Sequence, residues 1–434
     1  MSKMLVIVHG WSDDGKSFRR LARQLSEALG VDAVTVKIAD WVSLQDDVTY
    51  SDLAVAMQKA WQALGLPQTP RSVDVVSHST GALVVRDWMT RFYQPETVPI
   101  FRFLMLAPAN FGSPLAHKGR SFIGRVLKGW NTFLGQTGAQ VLKGLELGSP
   151  YTRQLAMRDL FDAERCWYGP GKVLATVLVG NAGYDGVEAI ANETGGDGTV
   201  RISTANLNAA HLTLCLDARQ QLLPGWSLTR SNGIIGFAIA DKENHSTLAL
   251  KDNGPKNPVT LLLLEGALTV TDADFVEWQQ RLDSIDPDVA MRSARYQNIV
   301  THVRDDNGQD VADYFVEFYR QTSADRAFEK VLYEQVITAV HAYQDNPAYR
   351  SLYLAVDELE RLMVQYRAEC LHLSLSAQPV FNPPRQPVGY VSVGARSEDG
   401  LAVLAADLPQ YFVAHQTLIV DIQLQRQIHA SVFR

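Results

Sequence analysis

Ser79 lies in a short turn whose residue types fit a catalytic serine. The turn reads Ser77-His78-Ser79-Thr80-Gly81. A strand is predicted before it, at Val73–Val76, and a helix after it, at Ala82–Tyr93. A catalytic serine needs an exposed hydroxyl on a tight strand-to-helix turn, with small residues two positions before and two after, because the chain nearly touches itself there. Ser77 and Gly81 meet this need, although the common motif has glycine at both positions. The flanking strand and helix disfavour the alternative of a plain Ser/Thr/Gly turn.

Asp197 is surrounded by glycines in the segment Gly195-Gly196-Asp197-Gly198-Thr199-Val200. In one common arrangement of serine enzymes, the acid follows the nucleophile in the chain and lies in a loop after a strand. Asp197 fits this position, and the glycines allow the backbone to turn sharply. Asp185 and Asp241 remain weaker alternatives for the acid.

Two histidines, His211 and His245, lie between Asp197 and the second predicted domain. The base should follow the acid in the chain. His245 comes shortly after a predicted strand at Ile234–Ile239, whereas His211 lies inside the apolar segment Ala209–Leu216. His245 is therefore the favoured general base, with His211 as the alternative.

An oxyanion hole requires two backbone N–H donors that already point at the carbonyl oxygen on which negative charge develops. The first predicted donor is the N–H of Thr80, the residue after the serine. The second is the N–H of Trp11, which follows His9-Gly10 at the end of the first predicted strand. For His9, the simpler role of ordering this loop through hydrogen bonds is compatible with that prediction.

The glycine-interrupted segment Ala116–Leu145 is basic and apolar and contains no acidic residue. Its basic residues are Lys118, Arg120, Arg125, Lys128 and Lys143. This composition favours a mobile lid, because basic side chains attract anionic lipid headgroups and an apolar face enters a lipid surface. A static cap that only shapes the pocket is an equal alternative. We expect Phe111, Phe122 and Trp130 to contact the substrate.

Strand and helix signals alternate through the first half of the chain. Wholly apolar or valine-rich runs predict buried strands, and apolar residues at helical spacing predict the helices between them. The strands are predicted at Met4–Val8, Ala33–Ile38, Val73–Val76, Phe101–Leu106, Val173–Val179 and Ile234–Ile239, and the helices at Ser17–Leu29, Asp52–Leu64 and Ala82–Tyr93. This alternation predicts an α/β fold with a doubly wound, mostly parallel sheet.

A period of two replaces this pattern after about Asp288. Alternating apolar positions occur at Leu371, Leu373 and Leu375, and again at Leu418, Val420, Ile422 and Leu424. Such alternation is typical of strands with one buried face. We therefore predict a catalytic domain at 1–286, with a lid or cap insertion at about 112–166, and a β-rich, sandwich-like accessory domain at 287–434.

Length and composition limit the remaining function classes. A chain of 434 residues is longer than one typical domain. The net charge of −7 disfavours nucleic acid as a partner, because there is no overall basic field to hold phosphates. The three cysteines are far apart, which predicts free thiols, and neither a metal nor another cofactor is expected.

The N-terminal apolar run, Leu5–Val8, is too short for a signal-peptide core. No run of about 18 apolar residues occurs. We therefore expect a cytoplasmic location, with any export by a route that needs no signal peptide.

In their order, the motifs resemble those of α/β-hydrolase lipases. They are His9-Gly10, Ser77-His78-Ser79-Thr80-Gly81, Pro108-Ala109-Asn110-Phe111-Gly112-Ser113-Pro114, Leu147-Gly148-Ser149-Pro150, Gly196-Asp197-Gly198-Thr199-Val200 and His245. The resemblance covers roughly Met4–Asp283 and is greatest to bacterial triacylglycerol lipases, phospholipase-like proteins and inositol-deacylase-like lipases. It implies Ser79 as nucleophile, Asp197 as acid and His245 as base.

This resemblance implies hydrolysis of lipid esters through an acyl-enzyme. The composition of Ala116–Leu145 adds the expectation of peripheral membrane contact through the lid. One alternative is a soluble esterase or thioesterase. Another is a catalytically dead hydrolase scaffold that binds a partner through 287–434. If the protein is an antibacterial toxin, a cognate inhibitor protein is expected as a further partner.

Overall fold

A computed structural model of the chain describes residues 4–8, 18–43, 45–116, 138–185, 189, 192–217, 219, 221–285, 288–320, 325–391 and 401–434. These residues belong to two compact units. The first comprises 1–208 and 231–294, and the second comprises 209–230 and 295–434. None of the helices in the described ranges is both long enough and apolar enough to cross a bilayer.

The first unit is built around a six-stranded sheet in which all neighbouring strands are parallel. In chain order its strands are β1 (Met4–Val8), β2 (Asp32–Val36), β3 (Val73–His78), β4 (Ile100–Leu106), β5 (Leu174–Gly180) and, after two strands of the second unit, β8 (Gly236–Ala240). They are arranged in the order β2-β1-β3-β4-β5-β8. Every residue of β3 and β5 is buried, as expected for strands covered on both faces. The predicted α/β fold is confirmed.

Helices connect these strands and follow the last of them. They span Arg19–Leu29, Tyr50–Ala63, Gly81–Phe92, Ala139–Leu145, Pro150–Asp159, Ile202–Ala205, Val259–Thr269, Phe275–Ile285 and Val289–Arg292, with short 3-10 turns at Ile38–Asp40 and Thr247–Ala249. Local sequence sets some of their ends. For example, the helix that begins at Tyr50 is preceded by a capping box, in which the side chains of Thr49 and Asp52 each accept a hydrogen bond from the other's backbone N–H.

The second unit contains a mixed six-stranded sheet, a three-stranded antiparallel sheet and a two-stranded pair. The strands of the six-stranded sheet are β6 (Ala210–Leu216), β7 (Ser227–Arg230), β9 (Tyr296–Asp305), β11 (Ile337–Ala342), β12 (Tyr349–Ala355) and β16 (Thr417–Leu424). They are arranged in the order β11-β12-β9-β16-β6-β7. The three-stranded sheet consists of β10 (Tyr314–Tyr319), β13 (Cys370–Ala377) and β15 (Leu401–Leu404), and the pair of β14 (Val388–Tyr390) and β17 (Arg426–Ile428).

Both larger sheets of the second unit contribute to one apolar core. Leu212, Leu214 and Val420 enter it from the six-stranded sheet, and Phe318 and Leu371 enter it from the three-stranded sheet. Helical segments at Arg326–Val331, Leu332–Val336, Val356–Gln365, Leu408–Tyr411 and Ala430–Val432 complete the unit. The β-rich, sandwich-like character predicted for this part of the chain is confirmed.

The segment 209–230 belongs to a different unit from the one that the sequence boundary predicted. The sequence boundary at 286/287 assigned it to the catalytic domain, but it belongs to the second unit. The reason is strand pairing, because β6 runs parallel to β16 along its whole length, from Ala210 opposite Leu418 to Leu216 opposite Leu424. A chain cut near Asp288 would therefore leave β6 and β7 without their sheet.

Candidate active site

Ser79 occupies the turn between β3 and the helix Gly81–Phe92. Its φ of 56° lies in the left-handed region, which residues with a side chain seldom adopt. The N–H of Ser79 donates to the carbonyl of Leu106 at 3.0 Å, and the N–H of Ala82 donates to the carbonyl of Ser79 at 3.3 Å. The strand β4 thus holds the serine in a strained turn of the kind that presents a nucleophile.

Ser77 stands where the common motif has glycine. It is fully buried, and its Oγ has no hydrogen-bond partner among the described residues. Within these residues, the hydroxyl of Ser77 contributes no hydrogen bond to the turn. The property that the turn uses is the small size of the residue, as the sequence predicted.

Asp197 and His245 form a buried hydrogen-bonded pair. His245 Nδ1 lies 3.0 Å from Asp197 Oδ2. His245 is 1% exposed and Asp197 is 0% exposed. A second bond runs from the backbone N–H of His245 to the carbonyl of Asp197 at 3.0 Å. Because a carboxylate only accepts, Nδ1 is the donor, and Nε2 is the unprotonated nitrogen of the neutral ring. Nε2 is buried and has no hydrogen-bond partner among the described residues. The ring is therefore in the tautomer that a general base requires.

The glycines around Asp197 are required by the shape of its turn. A Cβ at Gly196 would lie 2.5 Å from the carbonyl oxygen of Val200, and Gly198 has a φ of +91°. Inside the turn, Asp197 Oδ1 accepts the N–H groups of Thr199 at 2.9 Å and Val200 at 2.8 Å. The turn therefore fixes one carboxylate oxygen and leaves Oδ2 for His245.

The loop that carries His245 follows β8 and is anchored by Glu243. This carboxylate is fully buried. Its Oε1 accepts hydrogen bonds from the N–H of Lys256 at 2.7 Å, the N–H of Asn257 at 2.9 Å and Thr260 Oγ1 at 2.9 Å. Glu243 thus fastens the loop to the start of the helix Val259–Thr269. The sequence alone does not indicate Glu243, because its partners Lys256, Asn257 and Thr260 are brought to it only by the fold.

His78 connects the serine turn to the histidine loop. Its Nε2 lies 2.9 Å from the backbone carbonyl of His245, and the centroids of the two rings are 4.6 Å apart. A carbonyl oxygen only accepts, so His78 Nε2 carries the proton. The residue just before Ser79 therefore binds directly to the backbone of the predicted base.

The alternative acid and base residues lie in other surroundings. His211 is on β6 in the second unit, where its Nε2 lies 2.8 Å from Asp421 Oδ2. Asp185 is exposed. Asp241 accepts from Asn181 Nδ2 at 3.0 Å. Of the two candidate histidines, His245 is therefore the one that bonds to Asp197.

Thr80 directly follows Ser79, at the N-terminal end of the helix Gly81–Phe92. N–H groups at a helix N-terminus carry partial positive charge, which suits an oxyanion donor. The other predicted donor, Trp11, lies outside the described residues together with His9 and Gly10. Both oxyanion assignments remain predictions.

Only part of the predicted substrate region is described. Phe111 is 1% exposed, and its N–H donates to the carbonyl of Thr204 at 2.9 Å. Phe122 and Trp130 lie within 117–137, outside the described residues. The contacts of all three with substrate therefore remain predictions.

The C-terminal part of the predicted lid forms a helix, Ala139–Leu145, in which Val141, Leu142 and Leu145 are buried. A Cβ at Gly144 would lie 2.8 Å from the Tyr50 ring. This tight packing is typical of a fixed element. For 138–145, the packing therefore fits the alternative of a static cap better than that of a mobile lid. The rest of the predicted lid, 117–137, lies outside the described residues.

Arg86 on the helix after Ser79 belongs to a buried polar network that the sequence did not indicate. Its Nε and Nη2 donate to the two carboxylate oxygens of Asp159 at 2.7 and 2.8 Å, and its Nη1 donates to Asn110 Oδ1 at 3.1 Å. Tyr168 also donates to Asp159, at 2.6 Å, and burial followed by the Asp159 charge raises the pKa of Tyr168 well above its usual range. This network anchors the helix that follows the serine.

The sheet of the first unit and the helices around it have the α/β-hydrolase fold. The strained serine follows β3, and the aspartate and histidine follow β5 and β8 of one parallel sheet. In a parallel sheet the carboxyl ends of the strands share one edge, which is where such folds hold their sites.

Two solved structures of the phospholipase PlaB from Legionella pneumophila have the same fold. The structure of PlaB matches with a TM-score of 0.81 and 22% identity, covering 100% of this chain and 96% of that chain. PlaB in complex with thio-NAD matches with a TM-score of 0.79 and 23% identity, covering 99% of this chain and 96% of that chain. No protein-family model and no curated protein sequence matches the chain.

Proposed function

We propose that this protein is a serine hydrolase of carboxylic esters that acts on lipid esters, as a lipase or phospholipase. The main support is the combination of a strained serine turn at Ser79 with the buried Asp197–His245 pair. Backbone strain of this kind costs about 1–3 kcal/mol and persists mainly where function uses it. The order serine, aspartate, histidine along the chain is the one that α/β-hydrolases use.

In the proposed reaction, His245 Nε2 takes the proton of Ser79 Oγ while that oxygen attacks the ester carbonyl. Asp197 stabilises the imidazolium that forms. His245 then returns the proton to the leaving alcohol, and an acyl-enzyme remains on Ser79. Water, deprotonated by His245, then attacks this ester. The free acid leaves, and His245 returns the proton to Ser79 Oγ. We assign Thr80 N–H as one oxyanion donor and Trp11 N–H as the second.

The preference for lipid esters has two supports. PlaB, whose fold matches both units of this chain, is a phospholipase. In addition, the sequence of 116–145 combines basic and apolar residues without an acidic one, which suits contact with an anionic lipid surface.

Labelling with a fluorophosphonate probe tests the nucleophile. The purified full-length chain should carry one adduct, which mass spectrometry should locate on the Ser79 peptide. Ser79→Ala should abolish the label. Ser77→Ala is a matched control, because no described residue forms a hydrogen bond with the Ser77 hydroxyl and its removal should leave labelling intact.

An adduct on Ser77, or labelling that survives Ser79→Ala, would contradict the assignment. A folded protein that takes no label and hydrolyses no ester would favour an inactive scaffold. Turnover of esters and thioesters of increasing acyl length then separates the lipase from a soluble esterase or thioesterase. A lipase should prefer long chains presented as vesicles or micelles.

A further inference from the structure

The second unit contains a cavity of about 280 Å³ that receives side chains from both of its larger sheets. Leu214 and Val420 line it from the six-stranded sheet. Phe318, Leu373 and Val403 line it from the three-stranded sheet. Trp226, which is about half exposed, also lines the cavity and marks where it opens to solvent.

The lining of this cavity is almost wholly apolar. Among the described residues that form it, polar side-chain atoms occur only on Thr301, Tyr411 and Trp226, and none carries a charge. Thr301 Oγ1 is already bonded to the Tyr314 hydroxyl at 2.7 Å. A buried water needs about two to four polar partners, which this lining does not supply. The interior is therefore suited to a hydrocarbon and not to water.

An apolar space of this size that reaches from the surface into a protein core is unusual. Native interiors contain few spaces larger than a water molecule, and an empty apolar cavity destabilises the core around it. An apolar cavity of about half this volume already binds benzene in another protein. The space between the sheets thus has the size and character of a binding site for a small apolar group.

The apolar lining favours an acyl chain over a peptide segment as the occupant of this space. A peptide segment would bring backbone N–H and C=O groups into a lining that cannot pair with them, at a large cost. A linear acyl chain brings no polar group into the interior. A single acyl chain is therefore the occupant that fits the cavity.

One cationic side chain, that of Arg230, is hydrogen-bonded to the backbone next to this lining. On β7, Leu228 pairs with the lining residue Leu212 and packs against the core. Arg230 is two residues further along β7 and so lies on the same face of the strand. Arg230 Nη2 donates to the carbonyl of Gln410 at 2.7 Å, next to the lining residue Tyr411. Since a guanidinium has five N–H donors, it retains others for a carboxylate.

We propose that the second unit binds one molecule of free fatty acid, with its chain in this cavity and its carboxylate at Arg230. A free fatty acid is the product of the proposed lipid hydrolysis, so the choice of this ligand rests on the proposed function. The site itself is formed entirely by residues of the second unit and includes none of the proposed catalytic residues.

Photo-crosslinking to the full-length Ser79→Ala variant tests this site without turnover. The probe is dodecanoate with a diazirine near its methyl end. The expected crosslinks lie on peptides that contain β13 or β16, and unlabelled acids should compete more strongly in the order octanoate, decanoate, dodecanoate. Each added methylene should improve competition about fourfold, until the cavity is filled.

Val403→Phe and Leu404→Phe form a matched pair of further changes. Val403 lines the cavity, whereas its neighbour Leu404 is exposed. Val403→Phe should reduce the crosslink about 15-fold, the equivalent of excluding two methylenes. Leu404→Phe should leave the crosslink unchanged, and thermal unfolding should show that both variants are folded.

Arg230→Gln tests the carboxylate contact. It should weaken competition by dodecanoate, while competition by dodecanol, which has the same chain and no charge, should stay the same. Crosslinks confined to the first unit, or equal crosslinking in the Val403→Phe and Leu404→Phe variants, would overturn the proposed site. Binding of vesicle lipid without binding of free dodecanoate would overturn the choice of ligand. None of these outcomes depends on fluorophosphonate labelling, so the site and the proposed function can fail separately.

Discussion

Each unit of the protein contains a hydrogen-bonded pair of histidine and aspartate, and the two pairs have similar distances. In the first unit, His245 Nδ1 lies 3.0 Å from Asp197. In the second unit, His211 Nε2 lies 2.8 Å from Asp421. The hydrogen bond alone therefore does not distinguish a catalytic pair from a structural one.

The surroundings of the two pairs differ. Asp197 and His245 lie in loops, and the backbone of His245 accepts a hydrogen bond from His78, the residue before the strained Ser79. His211 and Asp421 lie on the adjacent strands β6 and β16. Asp421 is shared there with a second histidine, since its other oxygen is 3.6 Å from His302 Nδ1.

A general base needs more than a hydrogen-bonded aspartate, because it also needs a free ring nitrogen and a nearby nucleophile. In the first pair, Nε2 has no hydrogen-bond partner among the described residues, and the His245 backbone is bonded to His78, the residue before the strained Ser79. The second pair satisfies polar groups on one face of a sheet whose opposite face forms an apolar core. We therefore expect changes to the first pair to remove activity and changes to the second pair to affect mainly stability.

The largest expected difference is between His245→Ala and His211→Ala. Without the imidazole of His245, no group takes the serine proton, so kcat on a soluble short-chain ester should fall about 10³-fold or more. His211→Ala should keep kcat close to that of the unchanged protein. Initial rates, normalised to folded protein by circular dichroism, measure both. If His211→Ala lost activity while His245→Ala kept it, the roles of the two pairs would be reversed.

Asp197→Asn and Asp421→Asn compare the two carboxylates at constant size. An amide at 197 can donate to His245 Nδ1 and so favour the wrong tautomer, which should lower kcat about 10²-fold or more. Asp421→Asn should leave kcat nearly unchanged and lower the midpoint of thermal unfolding. Equal loss of kcat in the two variants would show that the pairs are not functionally distinct.

A smaller effect is expected at Glu243, which supports the His245 loop without contacting the ring. Glu243→Ala would leave three donors without their acceptor, one of them buried and two partly buried, so we expect a loss of about 2–4 kcal/mol in the free energy of unfolding and about a tenfold lower kcat. Glu243→Gln keeps the acceptor at Oε1, and the other carboxylate oxygen has no hydrogen-bond partner in the part of the chain that the structure describes. It should restore most of both losses, measured by urea unfolding and by kcat at saturating ester. Failure of glutamine to rescue kcat while rescuing stability would show that the negative charge itself is needed.

The sequence predicted the three candidate catalytic residues because their signals are local. Ser79 stands in a turn between an apolar strand and a helix, and Asp197 stands among glycines that its turn requires. His245 was favoured over His211 by its place after a strand, and the structure shows it bonded to Asp197. Each of these inferences used only a few neighbouring residues and the order of the motifs along the chain.

The remaining features depend on partners that are distant in the chain. Glu243 looks like any loop glutamate until Lys256 and Thr260 are brought to it. The alternation of Leu212 and Leu214 with polar residues indicates a strand, but the sequence does not show that β6 pairs with β16, about 200 residues later. Sheet membership of β6 and the cavity of the second unit follow from such long-range pairing, which local patterns do not encode.

The most direct test of the central claim is a double-mutant comparison of Ser79→Ala, His245→Ala and the variant that carries both changes. If Ser79 and His245 act as one unit, each single change should lower kcat by several orders of magnitude, and the double variant should be little worse than Ser79→Ala alone. We would measure kcat of each variant on a soluble ester. Each variant must be purified separately, so that no active protein contaminates it. A double variant whose loss equals the product of the two single losses would contradict the account, because the two side chains would then act independently.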